Sequence, residues 1–97
     1  MIPFSHLADY VPFRKELKLR IDGNFGIVSN KQDYQVDYLN ETALMIFQQI
    51  DGKKKVAEIA EGFMEVVDVS RDIFEQDLVE ILRDFQWKKL IAFKQKL

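Results

Sequence analysis

The chain has 97 residues, no cysteine and a formal net charge of −2 at pH 7. This length predicts one domain with its own core, and the lack of cysteine excludes disulfides, thiolate metal sites and a cysteine nucleophile. The small negative charge argues against a protein that binds nucleic acid through bulk charge. No signal peptide or membrane-spanning run is present, so we expect a cytoplasmic protein with no membrane partner.

An N-terminal arm is predicted over residues 1–16, ahead of a domain that covers residues 17–97. The arm mixes large apolar side chains with Pro3 and Pro12, and these prolines argue against one continuous helix. Such an arm packs on its own domain, on a second copy in a homodimer, or on a partner protein. The sequence leaves these three alternatives open.

Three strands joined by polar turns are predicted next, over residues 17–21, 25–29 and 34–38. In the third strand, apolar residues alternate with Gln35 and Asp37, which is the period of a strand with one apolar face. The turn signal at residues 22–24 indicates a hairpin between the first two strands. The result is an antiparallel meander, in which a strand at the edge keeps unpaired N–H and C=O groups.

A helix is expected to follow the third strand directly. Asn40 is its predicted N-cap, and Leu39 and Leu44 have the spacing of a hydrophobic staple, which fixes the angle between strand and helix. Gly52 is the predicted C′ residue. The buried stripe of this helix is formed by Ala43, Ile46, Phe47 and Ile50.

Two further helices are predicted, and a short apolar tail follows them, for which a strand is one interpretation. The second helix has its stripe at Val56, Ile59, Ala60, Phe63 and Val67. The third helix begins after the N-cap Ser70, with Ile73 on the flank of its stripe. That stripe consists of Phe74, Leu78, Ile81, Leu82 and Phe85.

The sequence carries almost no groups for catalysis. His6 is the only histidine, and no metal-ligand spacing, phosphate-binding glycine loop or nucleophile–base pair is present. We therefore expect a protein that is not an enzyme and that needs no metal or cofactor.

A sheet followed by a helix–turn–helix is also the order of winged-helix DNA-binding regulators, which is the alternative function. Between Ser70 and Phe85, however, the would-be recognition helix holds five acidic residues against Arg71 and Arg83 only. A helix in the major groove needs the opposite balance, so we expect no nucleic-acid partner. Capture of an extended peptide by a strand edge beside a helix agrees better with these charges.

Six short motifs occur in a fixed order between residues 17 and 93. They are R-x-D-G-x-F-G (20–26), Y-L-N-E-T-A (38–43), I-D-G (50–52), V-x-E-I-A (56–60), D-V-S (68–70) and D-L-V-E-I-L (77–82). In this order the chain resembles the PqqD-like proteins, the recognition elements for ribosomally synthesised precursor peptides. It departs from that pattern at Lys55, where a threonine N-cap is usual, and at Lys89, where a glycine is usual.

The resemblance implies an α+β fold of the winged helix-turn-helix type, a three-stranded antiparallel sheet followed by three helices. It also implies a non-catalytic peptide chaperone. Such a protein binds the leader segment of a precursor peptide by strand addition and presents it to a modifying enzyme, for which we expect a radical S-adenosylmethionine (SAM) enzyme, in natural-product or cofactor biosynthesis. Carried onto this sequence, the peptide-binding residues are Tyr34, Gln35, Val36, Asp37 and Tyr38 on the strand, and Ile73, Phe74, Asp77, Leu78 and Ile81 on the third helix.

Overall fold

The computed structural model describes residues 3–30 and 35–95, without the side chain of Gln95. Its helices are α1 (Phe4–Leu7), α2 (Glu41–Gln48), α3 (Val56–Met64) and α4 (Arg71–Trp87). Its strands are β1 (Tyr10–Arg14), β2 (Lys18–Asp22), β3 (Phe25–Ser29), β4 (Val36–Leu39) and β5 (Ile91–Gln95). The predicted fold class is confirmed: an antiparallel sheet in the order β2-β3-β4 is followed by the three helices α2, α3 and α4.

The hairpin between β2 and β3 sets the register of the sheet. Asp22 lies opposite Phe25, and the two residues between them form the turn. Gly23 has a φ of +63°, while Asn24 has no positive φ. This is the pattern of a type II′ turn, which takes glycine at its first central position and matches the twist of the flanking strands.

The described part of the N-terminal arm packs on its own chain. Helix α1 contacts α4, and β1 pairs with β5 in a second, two-stranded antiparallel sheet. Because Lys15 N donates to Leu90 O, the alternation of an antiparallel ladder turns the nitrogen of Pro12 away from β5. A proline is tolerated in this strand for that reason. The boundary between residues 1–16 and 17–97 stays a prediction.

The junction of β4 and α2 is built as the sequence predicts. Asn40 Oδ1 accepts a hydrogen bond from Ala43 N at 2.8 Å, and both members of the staple, Leu39 and Leu44, are buried. The expected end of this helix was wrong, since α2 ends at Gln48, before Ile50. Ile50 is instead buried beyond the helix.

Gly52 is therefore not the C′ residue of α2. Its φ of +78° belongs to the turn that follows, where the Asp51 carboxylate accepts hydrogen bonds from Lys53 N and Lys54 N. These backbone donors lower the pKa of Asp51. Glycine is needed here for the turn, because it adopts a positive φ at little cost.

Helix α4 is held in place by one continuous buried stripe. Its members are Phe74, Leu78, Val79, Leu82 and Phe85, and Phe85 meets Phe47 of α2 edge-on with ring centroids 5.5 Å apart. Val79 is absent from the predicted stripe but is buried in the structure. Ile81 is only half-buried.

The end of α4 forms a Schellman motif on a residue that is not glycine. Leu90 N donates to Phe85 O at 2.9 Å and Lys89 N donates to Gln86 O at 3.0 Å, which are the two bonds of that motif. Lys89 has a φ of +62°. A side chain with a Cβ is disfavoured in this left-handed conformation.

We predict that Lys89→Gly raises the free energy of unfolding by about 1 kcal/mol, because glycine relieves the left-handed strain. Urea denaturation would measure the change. Lys88→Gly is the matched control and should destabilise, since Lys88 has a negative φ and pairs with Asp84 at 2.9 Å. An unchanged or lower stability of Lys89→Gly would contradict the argument.

Lys55 completes only half of a capping box on α3. Glu58 Oε1 accepts from Lys55 N at 2.9 Å, but a lysine ammonium has no acceptor to return the bond. We predict that Lys55→Thr adds the missing bond and stabilises the fold by about 1 kcal/mol. Thermal unfolding would show a higher Tm, whereas the control Lys53→Thr, in the preceding turn, should leave Tm nearly unchanged.

Candidate functional site

Strand β4 is an edge of the three-stranded sheet. It pairs with β3 on one side, and no strand among the described residues pairs with its other side. An edge strand of this kind presents a row of unsatisfied N–H and C=O groups, which can pair with another extended chain. The question is then which residues of β4 provide those groups.

The register of β4 on β3 shows that Val36 and Tyr38 provide the unpaired backbone groups. Asn30 N donates to Gln35 O at 3.1 Å, so these two residues form a hydrogen-bonded pair. Such pairs alternate along an antiparallel ladder, and the next ones are Val28 with Asp37 and Gly26 with Leu39. The backbone groups of Val36 and Tyr38 therefore point away from β3, toward the open edge.

The hairpin supports the same assignment independently. The two-residue turn makes Asp22 and Phe25 a hydrogen-bonded pair, so Phe25, Ile27 and Ser29 direct their backbone groups toward β2. The alternate residues of β3 are then left to pair with β4. Both ends of the sheet thus give one consistent pattern.

A cleft of about 350 Å³ opens between this edge, the start of α2 and the C-terminal half of α4. Strand β4 and helix α4 run in opposite directions. Gln35 Nε2, just before β4, lies 3.5 Å from Lys88 O at the end of α4. The end of β4 lines the cleft together with Glu80 and Ile81, which come earlier in α4. The lining residues are Tyr38, Leu39, Asn40, Thr42, Ala43, Glu80, Ile81, Asp84, Phe85 and Lys88.

The cleft has an apolar floor and a charged rim. The half-buried Ile81 provides the accessible apolar surface, and the buried side chains of Leu39 and Phe85 also line the cleft. On the rim, Asp84 is paired with Lys88 at 2.9 Å. The exposed Glu80 carboxylate has no hydrogen bond or ion pair among residues 3–30 and 35–95.

The outer face of the sheet is apolar and open to solvent beside the same edge. Val36 is 50% exposed and Tyr38 is 75% exposed, and Tyr38 lies opposite Ile27. The predicted apolar face of this strand is therefore not its core face. Leu39, on the opposite face, is the buried residue of this strand, because α2 and α4 cover that side of the sheet.

The predicted strand residues flank the cleft. Gln35 and Asp37 face α4 and are joined by a 2.7 Å hydrogen bond from Gln35 Nε2 to Asp37 Oδ2. Val36 and Tyr38 form the open edge. Tyr34 lies outside the described residues.

The predicted helix residues divide into two groups. Phe74 and Leu78 are buried in the core and offer no surface to a ligand. Ile81 lines the cleft, and Ile73 and Asp77 lie on the same side of α4 at four-residue spacing, with Ile73 53% exposed. Whether these residues bind a peptide stays a prediction.

Sequence reasoning missed the part of α4 nearest to β4, namely Glu80, Asp84, Phe85 and Lys88. The spacing contained a signal, because Ile81, Phe85 and Lys88 are three or four residues apart and share one face. The missing information was direction: only the antiparallel arrangement of β4 and α4 shows that the strand lies beside the end of the helix and not its start.

A larger open depression of about 1000 Å³ adjoins the cleft on the outer side of α4. Its described lining comes from α4 and Lys89 alone, and it includes Trp87, which is 86% exposed. Its described lining contains no strand edge. The unpaired backbone groups of Val36 and Tyr38 therefore belong to the smaller cleft.

The chemistry of the cleft suits binding. The other resolved pKa shifts belong to Glu61 and Arg71, which lie outside it: the hydrogen bond from Arg71 at 2.6 Å lowers the pKa of Glu61 and raises that of Arg71. No group of three His, Cys, Asp or Glu among the described residues could hold a metal ion. None of the described helices is long and apolar enough to cross a bilayer.

Two solved structures share this fold. One is described as TbiB1 in complex with the TbiA(beta) leader peptide, and it superposes with a TM-score of 0.76 at 18% identity, over 82% of this chain and 94% of that chain. The other is described as lasso peptide synthetase B1 complexed with the leader peptide, with a TM-score of 0.73 at 18% identity, over 88% of this chain and 99% of that chain. No curated protein matches the chain in sequence.

The family comparison agrees with the fold. Residues 34–91 match the family described as coenzyme PQQ synthesis protein D (PqqD). This match spans more than half of the chain and contains β4, α2, α3 and α4, and the cleft is lined by residues of β4, α2, α4 and their caps. It confirms the resemblance seen in the motifs, and the chain belongs to the PqqD family.

Proposed function

We propose that this protein binds the leader segment of a ribosomally synthesised precursor peptide as an added strand on β4. The observation that carries the proposal is the open edge at Val36 and Tyr38, whose four backbone groups lie beside the cleft. An extended peptide satisfies these groups while its side chains reach the floor formed with Ile81 and Phe85.

Family membership and fold support the same function. Two solved structures of this fold are described as complexes with leader peptides. The residues that match the PqqD family include the strand, the capped helix and the final long helix, which line the cleft here.

The free energies of hydrogen bonding and of binding show what the strand edge and the apolar surface each contribute. Four backbone hydrogen bonds at about 0.5–1.5 kcal/mol each supply roughly 4 kcal/mol, which corresponds to about millimolar affinity. Micromolar binding needs about 8 kcal/mol. The strand edge therefore sets register and direction, and apolar burial against Ile81 and the exposed side chains of Val36 and Tyr38 must supply the remainder.

We place the modification chemistry in a separate radical SAM enzyme, to which this protein presents the peptide. Iron–sulfur clusters are held mainly by cysteine thiolates, and these 97 residues contain none. The role of this chain is then to raise the local concentration of the peptide near the enzyme.

We predict that Val36→Pro weakens peptide binding by about tenfold, because the ring removes one edge donor and obstructs the incoming strand. The fold should persist, since the Val36 N–H is not bonded to β3. Fluorescence polarisation with labelled leader peptides from short open reading frames beside the gene would measure the affinity, with circular dichroism as the folding check.

The matched control is Ile21→Pro. The Ile21 N–H also points to an open edge, that of β2, because Ile21 lies opposite Gly26 in a pair that is not hydrogen-bonded. Equal affinity of a folded Val36→Pro variant and of Ile21→Pro would contradict strand addition on β4. Salt-sensitive binding of duplex DNA in place of peptide would favour the DNA-binding alternative.

A further inference from the structure

We infer that the strand taken up in the cleft carries a lysine or arginine that pairs with Glu80, so that Glu80 selects basic leader segments. This inference rests on the proposed function and names the chemistry of the peptide that the site takes. It follows from three features of the described residues: the parity of β4, the charges on the rim, and the apolar surface below them.

The alternation of side chains between the two faces of a strand decides which peptide residues face α4. Directly opposed residues on neighbouring strands lie on the same face of a sheet. Peptide residues opposite Val36 and Tyr38 therefore lie on the outer face, beside two exposed apolar side chains. The residue between them lies opposite Asp37 and faces α4, and so does the residue opposite Leu39, which lines the cleft together with Glu80 and Ile81.

The charges that face this position are mostly negative. On α4, Asp84 is neutralised by Lys88 at 2.9 Å, and Glu80 is left without a partner among the described residues. Asp77 lies one turn away on the same helix face, outside the cleft lining, and makes no hydrogen bond or ion pair among the described residues. On the strand, Asp37 is engaged by Gln35.

The apolar floor favours a long cationic side chain over a short one. A lysine or arginine can lay its aliphatic stem on Ile81 while its charged end reaches the exposed Glu80 carboxylate. An acidic side chain at the same position would face the Glu80 carboxylate with the same charge. The cleft therefore discriminates by charge at one cleft-facing position and by apolar contact at the positions opposite Val36 and Tyr38.

The test is selection from a phage-displayed library of random peptides about twelve residues long. Against the unmodified protein, we expect enrichment of apolar residues at positions i and i+2 of the peptide. Lysine or arginine should be enriched at a position an odd number of residues away from these two, because such a position lies on the other face of the strand. Against Glu80→Gln the basic preference should disappear, and against Glu80→Lys it should change to aspartate or glutamate. Glu65→Gln, an exposed site at the end of α3, is the matched control and should keep the preference.

One selected peptide then allows a double-mutant cycle by fluorescence polarisation. Replacing its basic residue by glutamine, or Glu80 by glutamine, should each weaken binding about two- to fivefold, the range of an exposed ion pair. The two changes together should cost no more than either alone. Rising salt should reduce the affinity of the unmodified pair and leave that of the Glu80→Gln pair almost constant.

The outcomes separate this inference from the proposed function. If Val36→Pro weakens binding but the selected peptides show no basic preference, the role of Glu80 is wrong and strand addition is unaffected. The same holds if the selected peptides bind Glu80→Gln as tightly as the unmodified protein. If no peptide is enriched, or if Val36→Pro binds as well as Ile21→Pro, strand addition on β4 is wrong and the inference falls with it.

Discussion

The site depends on one constraint of the backbone: in a strand, the N–H and C=O of a residue point to the same side and can serve only one neighbouring strand. Strand β3 uses both sides, with alternate residues directed to β2 and to β4. Among the described residues, strand β4 has a neighbouring strand, β3, on one side only. The groups of Val36 and Tyr38 are left at the edge for that reason, and the proposed interaction with a peptide completes the pattern.

Helix α4 faces the core and the cleft with largely different residues. Phe74, Leu78, Val79, Leu82 and Phe85 are buried, and Phe85 also lines the cleft. The residues that point into the cleft, Glu80 and Ile81, are exposed or half-buried. Because the exposed positions that border the cleft do not anchor the helix, the charge of the rim can change at little cost in stability, as surface substitutions usually change the free energy of unfolding by less than about 0.5 kcal/mol.

Much of the fold was predictable because it rests on local chemistry. The turn at Gly23, the cap at Asn40 and the cap at Ser70 follow from residue types that accept or permit one specific backbone geometry. Predictions failed where a distant segment mattered. The end of α2 was placed too late because Ile50 continues the helical apolar spacing, although it is buried in the connection beyond the helix.

The sequence by itself determined the three strands β2, β3 and β4, the helices α2, α3 and α4, their order, the family motifs and the acidic character of α4, since periodicity, capping and charge are local properties. It predicted neither α1 nor β1. Tertiary structure alone decided the rest of the site. It showed that β4 exposes the face that its alternation marks as apolar, and that α4 lies antiparallel to β4. Those facts bring Glu80 and Ile81 to the open edge and withdraw Phe74 and Leu78 into the core. Such pairings depend on how elements distant in sequence pack together, which no local pattern specifies.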